Sequence, residues 1–152
     1  MTKPKKPKVD PTARYRANPA QFVREVMVNP ETGEPFELLP AEVVFLDHAF
    51  RTDANGRLLY PEQVFSAPKK SGKTGFAALH TLTMCLIFGG QYSEAYCIAN
   101  DLEQAQGRVF QAVKRIVESS PQLRAFARVY SDNPRHWRIH NRSRVRLRWC
   151  CR

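Results

Sequence analysis

Apolar positions in the middle of the chain fall into two patterns that alternate along the sequence. Short β-prone apolar runs predict strands over residues 63–67 and 94–99. Apolar residues at the spacing of an α-helix predict helices over 73–88 and 101–118. This strand–helix–strand–helix order is typical of a parallel sheet covered by helices, so we predict an α/β fold.

The segment ahead of this core, residues 18–60, predicts short helices separated by turns. Asn18 is a suitable N-cap for a helix over 19–28, because its side chain can accept a hydrogen bond from the first helical turn. A second helix is predicted over 41–50, and a short strand over 57–60. We therefore expect a helical lead-in that precedes the α/β core.

The formal net charge of +10 is concentrated at the two ends of the chain. Residues 1–16 carry six basic side chains and one acidic one, and residues 131–152 carry seven arginines and one acid. Between them, 11 basic and 12 acidic side chains leave the middle of the chain neutral. We predict a basic disordered tail over 1–17, with weak contact to nucleic-acid phosphates as a further role, and an Arg-rich tail over 131–152.

The cysteines and the lengths of the apolar runs indicate a cytoplasmic protein. Cys85 and Cys97 lie in apolar stretches, which is typical of buried, reduced thiols, and no cysteine stands at metal-finger spacing. The sequence has no charged-then-apolar leader and no apolar run of membrane-spanning length. Its longest apolar stretch, 76–88, is interrupted by polar residues and predicts a buried helix.

A lysine-rich turn between the first predicted strand and the first predicted helix carries the most specific chemistry. Its sequence is Ala67-Pro68-Lys69-Lys70-Ser71-Gly72-Lys73-Thr74. A strand that enters Gly-Lys-Thr and then a helix is the setting of a P-loop, whose backbone N–H groups and positive helix end cradle phosphates. In that interpretation Lys73 reaches the β- and γ-phosphates of ATP, and the Thr74 hydroxyl binds Mg²⁺.

The match to the full P-loop pattern fails at one position. The pattern is G-x-x-x-x-G-K-[ST], and this chain has Ala67 where the first glycine stands. The alternative interpretation is a lysine-rich loop that merely precedes a helix. The strand–loop–helix setting favours nucleotide binding over that alternative.

Two segments, 60–74 and 96–106, together resemble the ATPase domain of the large terminase subunit of tailed bacteriophages. Members of that family commonly have a Pro-basic-x-x-Gly-Lys-[Ser/Thr] loop in which the first glycine is replaced, as at Ala67. They also have a strand that ends in a small residue, followed by Asn or Asp and a helix that carries Gln-Ala. The resemblance covers residues 20–130 and identifies the amino-terminal part of such a subunit.

The resemblance implies a RecA-like P-loop NTPase of the ASCE (additional-strand) class, a parallel sheet with flanking helices. Residues 61–130 would form the P-loop half of that ATPase domain, so the sheet would be incomplete. Lys73 and Thr74 would be the phosphate and Mg²⁺ residues, and Lys69 or Lys70 would be the family's basic residue that touches phosphate. Glu42, in the helix start where relatives have an adenine-contacting pair, is the corresponding candidate here.

The function implied by the resemblance is the motor of viral DNA packaging. ATP hydrolysis with Mg²⁺ would drive double-stranded DNA into the capsid, and the partners would be the portal and the small terminase subunit. The full-length protein would work as a homo-oligomeric ring in the cytoplasm of the bacterial host cell.

Two parts of the chain limit this prediction. An apolar strand that ends in the acidic Mg²⁺ partner is absent downstream of the loop, so we expect nucleotide binding without turnover, and the catalytic residues stay unknown. The Arg-rich end, 131–152, is either a basic strand that grips phosphates or the product of a frameshift that truncates the protein.

Two other functions stay open at the level of sequence. One is a different P-loop NTPase, such as a helicase or a nucleotide kinase. The other is a non-enzymatic DNA-binding module that uses the basic ends, whose affinity would fall steeply with salt and would not respond to ATP.

Overall fold

The computed structural model describes the backbone of residues 12–89, 94–98, 106–126, 128–133, 136–140 and 146–150. Side chains are described for residues 12–89, 94–98 and 108–125. Six α-helices run through these residues: α1 (Ala13–Ala17), α2 (Pro19–Val26), α3 (Pro40–Ala49), α4 (Lys73–Thr83), α5 (Gln111–Ser119) and α6 (Pro121–Phe126). Four strands accompany them: β1 (Glu94–Ile98), β2 (Arg128–Asn133), β3 (His136–His140) and β4 (Arg146–Cys150).

The lead-in segment is helical, and its first helix begins before the predicted boundary. Residues 1–11 of the predicted disordered tail lie outside the described residues, but α1 occupies the end of that tail. Tyr15 explains this difference, because its ring packs edge-to-face on Phe22 of α2 with centroids 5.1 Å apart. Arg14 also forms an ion pair with Glu25 of α2, with an N–O distance of 3.0 Å. The helical lead-in therefore begins at α1.

The predicted N-cap of α2 is confirmed. The side chain of Asn18 accepts a hydrogen bond of 3.0 Å from the backbone N–H of Gln21. Pro19, which has no N–H to satisfy, follows in the first helical position. The helix ends at Val26, two residues earlier than predicted, and Met27 has an extended backbone.

The segment predicted as the P-loop strand, 63–67, is not a strand. It has no regular secondary structure and pairs with no strand of the described part of the chain. Side-chain packing holds it instead, because the Phe65 ring contacts Phe45 of α3 and Phe76 of α4 with centroids 5.1 and 4.5 Å apart. Val64 is 88% exposed.

The strand predicted over 57–60 is also wrong. An isolated bridge between Thr52 and Leu58 is the pairing found there. Gly56, with φ of +76°, forms the tight turn between these residues, and Asp53 accepts hydrogen bonds from the backbone N–H groups of Asn55 and Arg57. The side chain of Asp53 thus stabilises a local turn. The residues on either side of the turn pair only through the one bridge and do not form a hairpin.

The helix predicted over 73–88 is confirmed, with a change of type at its end. It is α-helical to Thr83 and continues as a π-helical turn over Met84–Phe88. The backbone N–H of Gly89 closes that turn on the carbonyl of Met84 at 2.7 Å. The helix therefore ends at Phe88, the predicted last residue, and Gly89 follows it.

The strand predicted over 94–99 is confirmed as β1, and it pairs in parallel with β4, in the register Glu94 with Arg146 and Ile98 with Cys150. The strands β2 and β3 pair antiparallel. The described strands thus form two separate two-stranded sheets, and only one of them is parallel. Among these described strands, the predicted parallel sheet is therefore seen only as the pair β1 and β4.

The helix predicted over 101–118 is described from Gln106. It begins there as a π-helical segment, Gln106–Phe110, and continues as α5. Residues 101–105 of the predicted helix lie outside the described residues.

The hydrophobic core lies between the helices. The apolar faces of α2, α3, α4 and α5 meet there, and the Phe50 and Phe88 rings stack with centroids 4.6 Å apart. The largest side chains with almost no exposed surface are Met27, Leu46, Leu82, Ile116, Val23, Val113 and Val117. This core fixes the start of α4, where the lysine-rich turn joins the helix.

Candidate nucleotide-binding loop

The lysine-rich loop, residues 67–74, contains the turn that connects the segment 63–67 to α4. Two of its residues have a left-handed backbone: Lys70 with φ of +67° and Gly72 with φ of +79°. Gly72 is the N-cap of α4, where its lack of a Cβ allows this conformation without strain. The turn leaves Lys73 and Thr74 as the first two helical residues, at the positive end of the helix dipole.

The ammonium group of Lys73 lies over the loop. Its Nζ donates a hydrogen bond of 2.6 Å to the carbonyl of Ala67 and a second bond to the carbonyl of Pro68. The first and last parts of the loop are therefore joined by this one cation. A phosphate oxygen is a stronger partner for an ammonium group than a neutral carbonyl, because the hydrogen bond is then between opposite charges.

The other polar groups of the loop are hydrogen-bond donors. The Ser71 hydroxyl oxygen is buried and has no hydrogen-bond partner within the described part of the chain. The amide groups of the first helical turn have no acceptor inside the helix. The loop thus combines a cation, a hydroxyl group and backbone N–H groups, which is the donor set that a phosphate chain requires.

Two pockets open beside the loop, and Thr74 lines both of them. The pocket on the side of Lys73 has a volume of about 370 Å³ and includes the rings of Phe45, Phe65 and Phe76. The pocket on the side of Gly72 has a volume of about 650 Å³.

The larger pocket joins the loop to the lead-in segment. Its walls include Glu42, the adenine candidate, and two arginines, Arg108 and Arg115. The Glu42 carboxylate accepts a hydrogen bond of 2.9 Å from the backbone N–H of Leu39, so it also caps α3. The structure therefore brings Glu42, Gly72 and Thr74 to one pocket.

The comparisons with known proteins give a match at the level of fold. No family model and no curated protein sequence matches the chain. Among solved structures, the large terminase of bacteriophage HK97 is similar, with a TM-score of 0.70 and 20% sequence identity. The match covers 90% of this chain and 27% of that terminase. The chain has a terminase-like fold.

The motifs around Gly72 predicted a resemblance to large terminase subunits, and the structural match confirms that resemblance at the level of the fold. The chain spans about a quarter of the length of the HK97 terminase. No α-helix in the described residues is long and apolar enough to cross a membrane.

A pair of residues that the sequence analysis did not select, Gln63 and His80, supports the segment that leads into the lysine-rich loop. The Gln63 amide donates to the carbonyls of Ala49 and Tyr60, at 2.7 and 3.0 Å. Its oxygen lies 2.7 Å from Nε2 of His80 in α4. Because the Gln63 amide nitrogen serves both carbonyls, the His80 Nε2–H is the donor in this third bond. Gln63 thus ties the approach to the loop to α3 and to α4.

The surroundings of His80 keep its ring neutral. Phe50 stacks on the imidazole with centroids 4.8 Å apart. Burial among such apolar groups lowers the pKa of His80 below its ordinary value. Sequence reasoning missed this residue because its partner lies 17 positions away.

Cys85 is buried, as predicted, whereas Cys97 is half-buried. Burial, together with the nearby Cys97 thiol, raises the pKa of Cys85 to about 11. Burial also raises the pKa of Cys97. Both thiols are therefore protonated at neutral pH. The described residues contain no group of three or more His, Cys, Asp and Glu side chains placed to hold a metal ion.

Proposed function

We propose that the lysine-rich loop binds the phosphates of ATP and that the chain is the nucleotide-binding part of a DNA-packaging motor of the terminase type. The left-handed Gly72 at the start of α4, with the Lys73 ammonium group folded over the loop, is the observation that carries the proposal. The positive end of α4 and the Lys73 ammonium group thus belong to one short loop, which supports phosphate binding there.

In this proposal each residue of the loop has a defined role. Lys73 exchanges its two carbonyl partners for phosphate oxygens, and the loop amides with the Ser71 hydroxyl bind the remaining oxygens. Lys69 and Lys70, which are exposed, add positive charge at the rim. Thr74 holds the Mg²⁺ ion, which when bound neutralises phosphate charge.

The proposed fold around the loop is the P-loop NTPase sheet of the ASCE class. The parallel pairing of β1 with β4 supports it, since parallel strands joined through helices are the building unit of such sheets. The remaining proposed partners are double-stranded DNA, the portal, the small terminase subunit and further copies of the chain, and the proposed location is the bacterial cytoplasm. The terminase-like fold supports this context.

Calorimetric titration with Mg·ATP and Mg·AMP tests the nucleotide site. We expect ATP to bind more tightly than AMP, because the loop recognises the β- and γ-phosphates. Lys73→Ala should weaken ATP binding by roughly tenfold or more, which corresponds to about 1.4 kcal/mol. Lys114→Ala, which removes a lysine on α5, should leave the affinity unchanged. Equal affinity for ATP and AMP, or equal effects of the two variants, would refute the site.

The motor role is tested separately by thermodynamic linkage. If ATP and DNA act on one mechanism, a short DNA duplex changes the affinity for Mg·ATP, and Mg·ATP changes the affinity for DNA by the same factor. ATP binding that depends on Lys73 but is indifferent to duplex DNA would keep the nucleotide site and reject the motor.

A further inference from the structure

A third pocket, which is polar, lies at the junction of α1, α2 and α3, and none of its lining residues belongs to the lysine-rich loop. Its volume is about 450 Å³. Its polar lining residues are Arg16, Asn18, Arg24, Asp47, Arg51 and Thr52. It has no lining residue in common with either pocket beside the loop. We refer to it as the arginine pocket.

The charges around the arginine pocket do not balance. Three arginines and one carboxylate, that of Asp47, line it, so two positive charges are in excess. In the described part of the chain, neither Arg24 nor Arg51 forms an ion pair. Arg14, which lies nearby in sequence, contrasts with them because it is paired with Glu25 at 3.0 Å. Guanidinium groups that outnumber the carboxylates of a pocket repel each other, and a bound anion relieves that repulsion.

Two features of the surrounding fold hold the arginine pocket in place. The Nε of Arg16 donates a hydrogen bond of 3.0 Å to the carbonyl of Ile87, which ties α1 to the end of the helix that begins at the lysine-rich loop. Asn18, Pro19 and Ala20 also line the pocket, so the positive end of α2 faces the same space as the arginines. The fold itself therefore directs additional positive potential toward this pocket.

We propose that the arginine pocket is a phosphate-binding site distinct from the lysine-rich loop. The planar guanidinium group binds phosphate oxygens through two parallel hydrogen bonds, which makes arginine the residue suited to this ligand. The phosphate comes either from the backbone of duplex DNA or from a free phosphate compound. The residues that line the site belong to α1, α2, α3 and the turn after α3, and none belongs to the lysine-rich loop, so the proposal does not rest on nucleotide binding there.

The test uses the full chain with Lys73→Ala, because that variant removes the main phosphate ligand of the loop. Pyrophosphate is titrated into this chain by calorimetry, and into the same chain with Arg24→Gln and Arg51→Gln. The matched control carries Arg57→Gln and Arg124→Gln, two exposed arginines that do not line the pocket. We expect the pocket variant to bind pyrophosphate at least tenfold more weakly and the control to bind as before. Circular dichroism checks that all three proteins are folded.

A parallel titration with a short DNA duplex at several salt concentrations identifies the source of the phosphate. If the ligand is DNA, the pocket variant loses duplex affinity, and the slope of log K against log salt falls by roughly 0.9 for each lost contact. A loss with pyrophosphate alone supports the site with a free phosphate compound as its ligand. The proposal is overturned if neither probe distinguishes the pocket variant from the control.

Discussion

Gly72 and Lys73 are neighbours in sequence and depend on each other in space. The left-handed backbone of Gly72 turns the chain so that α4 begins at Lys73, and the Lys73 side chain then lies back over the loop that precedes it. A residue with a Cβ at position 72 would be strained by its φ of +79°, although no atom lies within 4 Å of the added carbon. The backbone conformation, and not space, is what position 72 demands.

Replacement of Gly72 by alanine should therefore destabilise the protein by about 1–2 kcal/mol, the cost of a left-handed conformation for a residue with a Cβ. Gly75→Ala is the matched control, because Gly75 lies inside α4 and also has open space around its Cα. That change should stabilise by roughly 0.5–1 kcal/mol. Urea unfolding measures both, and the same sign for the two variants would contradict the assigned backbone.

His80 predicts a dependence of stability on pH. Burial lowers its pKa in the folded protein below the ordinary 6.5, so the unfolded chain binds the proton first as the pH falls. Above pH 6.5 the His80 ring is neutral in both states, and its contribution to stability is fully present. The free energy of unfolding should decrease as the pH falls from 6.5 toward the lowered pKa of His80.

Urea unfolding at several pH values near 6 tests this dependence. His80→Gln should remove the His80 contribution to the slope. His48→Gln, at an exposed position of α3, should retain that contribution. Identical slopes in the native chain and the His80→Gln variant would show that burial of His80 does not control the pH dependence.

At the scale of elements, α5 is joined to the lead-in segment by a buried hydroxyl group. Ser120, which is 0% exposed, follows α5 and donates a hydrogen bond of 2.6 Å to the carbonyl of Ile116. Its oxygen also accepts a bond of 2.9 Å from the backbone N–H of Val28. This contact connects residues 92 positions apart and fixes α5 against the chain that leaves α2.

Ser120→Ala should destabilise the protein by about 1–3 kcal/mol, because the partly buried N–H of Val28 would lose its acceptor. Ser119→Ala removes the hydroxyl of the preceding residue, which does not have this contact, and should change stability little. Chemical unfolding of the two variants makes the comparison. Equal effects would show that the tertiary bond to Val28 is not what stabilises this junction.

The elements that sequence predicted correctly depend on local signals. Asn18 caps α2 as predicted, because a cap is determined by a few adjacent residues. The stretch 63–67 was predicted as a strand and is not one. A β-prone composition creates a strand only where a partner strand pairs with it, and three phenylalanine rings hold this stretch instead.

At the scale of the whole molecule, the site could be predicted in part. The pattern of 67–74 predicted the positions of the loop and of the helix start correctly. A glycine directly before the helix indicates a left-handed residue, and Gly72 has that conformation. The contacts of Gln63 with His80 and of Ser120 with Val28 could not be predicted, because they join distant positions and only the folded chain brings them together. The terminase-like fold, in contrast, was predicted from the motifs of 60–74 and 96–106, and the structural match at 20% identity confirms it.

Hydrogen exchange of the backbone amides, with and without Mg·ATP, tests the central claim most directly. Our account predicts slower exchange in peptides that cover residues 69–75, because the phosphates accept hydrogen bonds from N–H groups in this range. Lys73→Ala should remove that protection, and peptides from α5 should exchange at the same rate throughout. Protection found only outside the lysine-rich loop, or protection that persists in Lys73→Ala, would contradict a phosphate site at this loop.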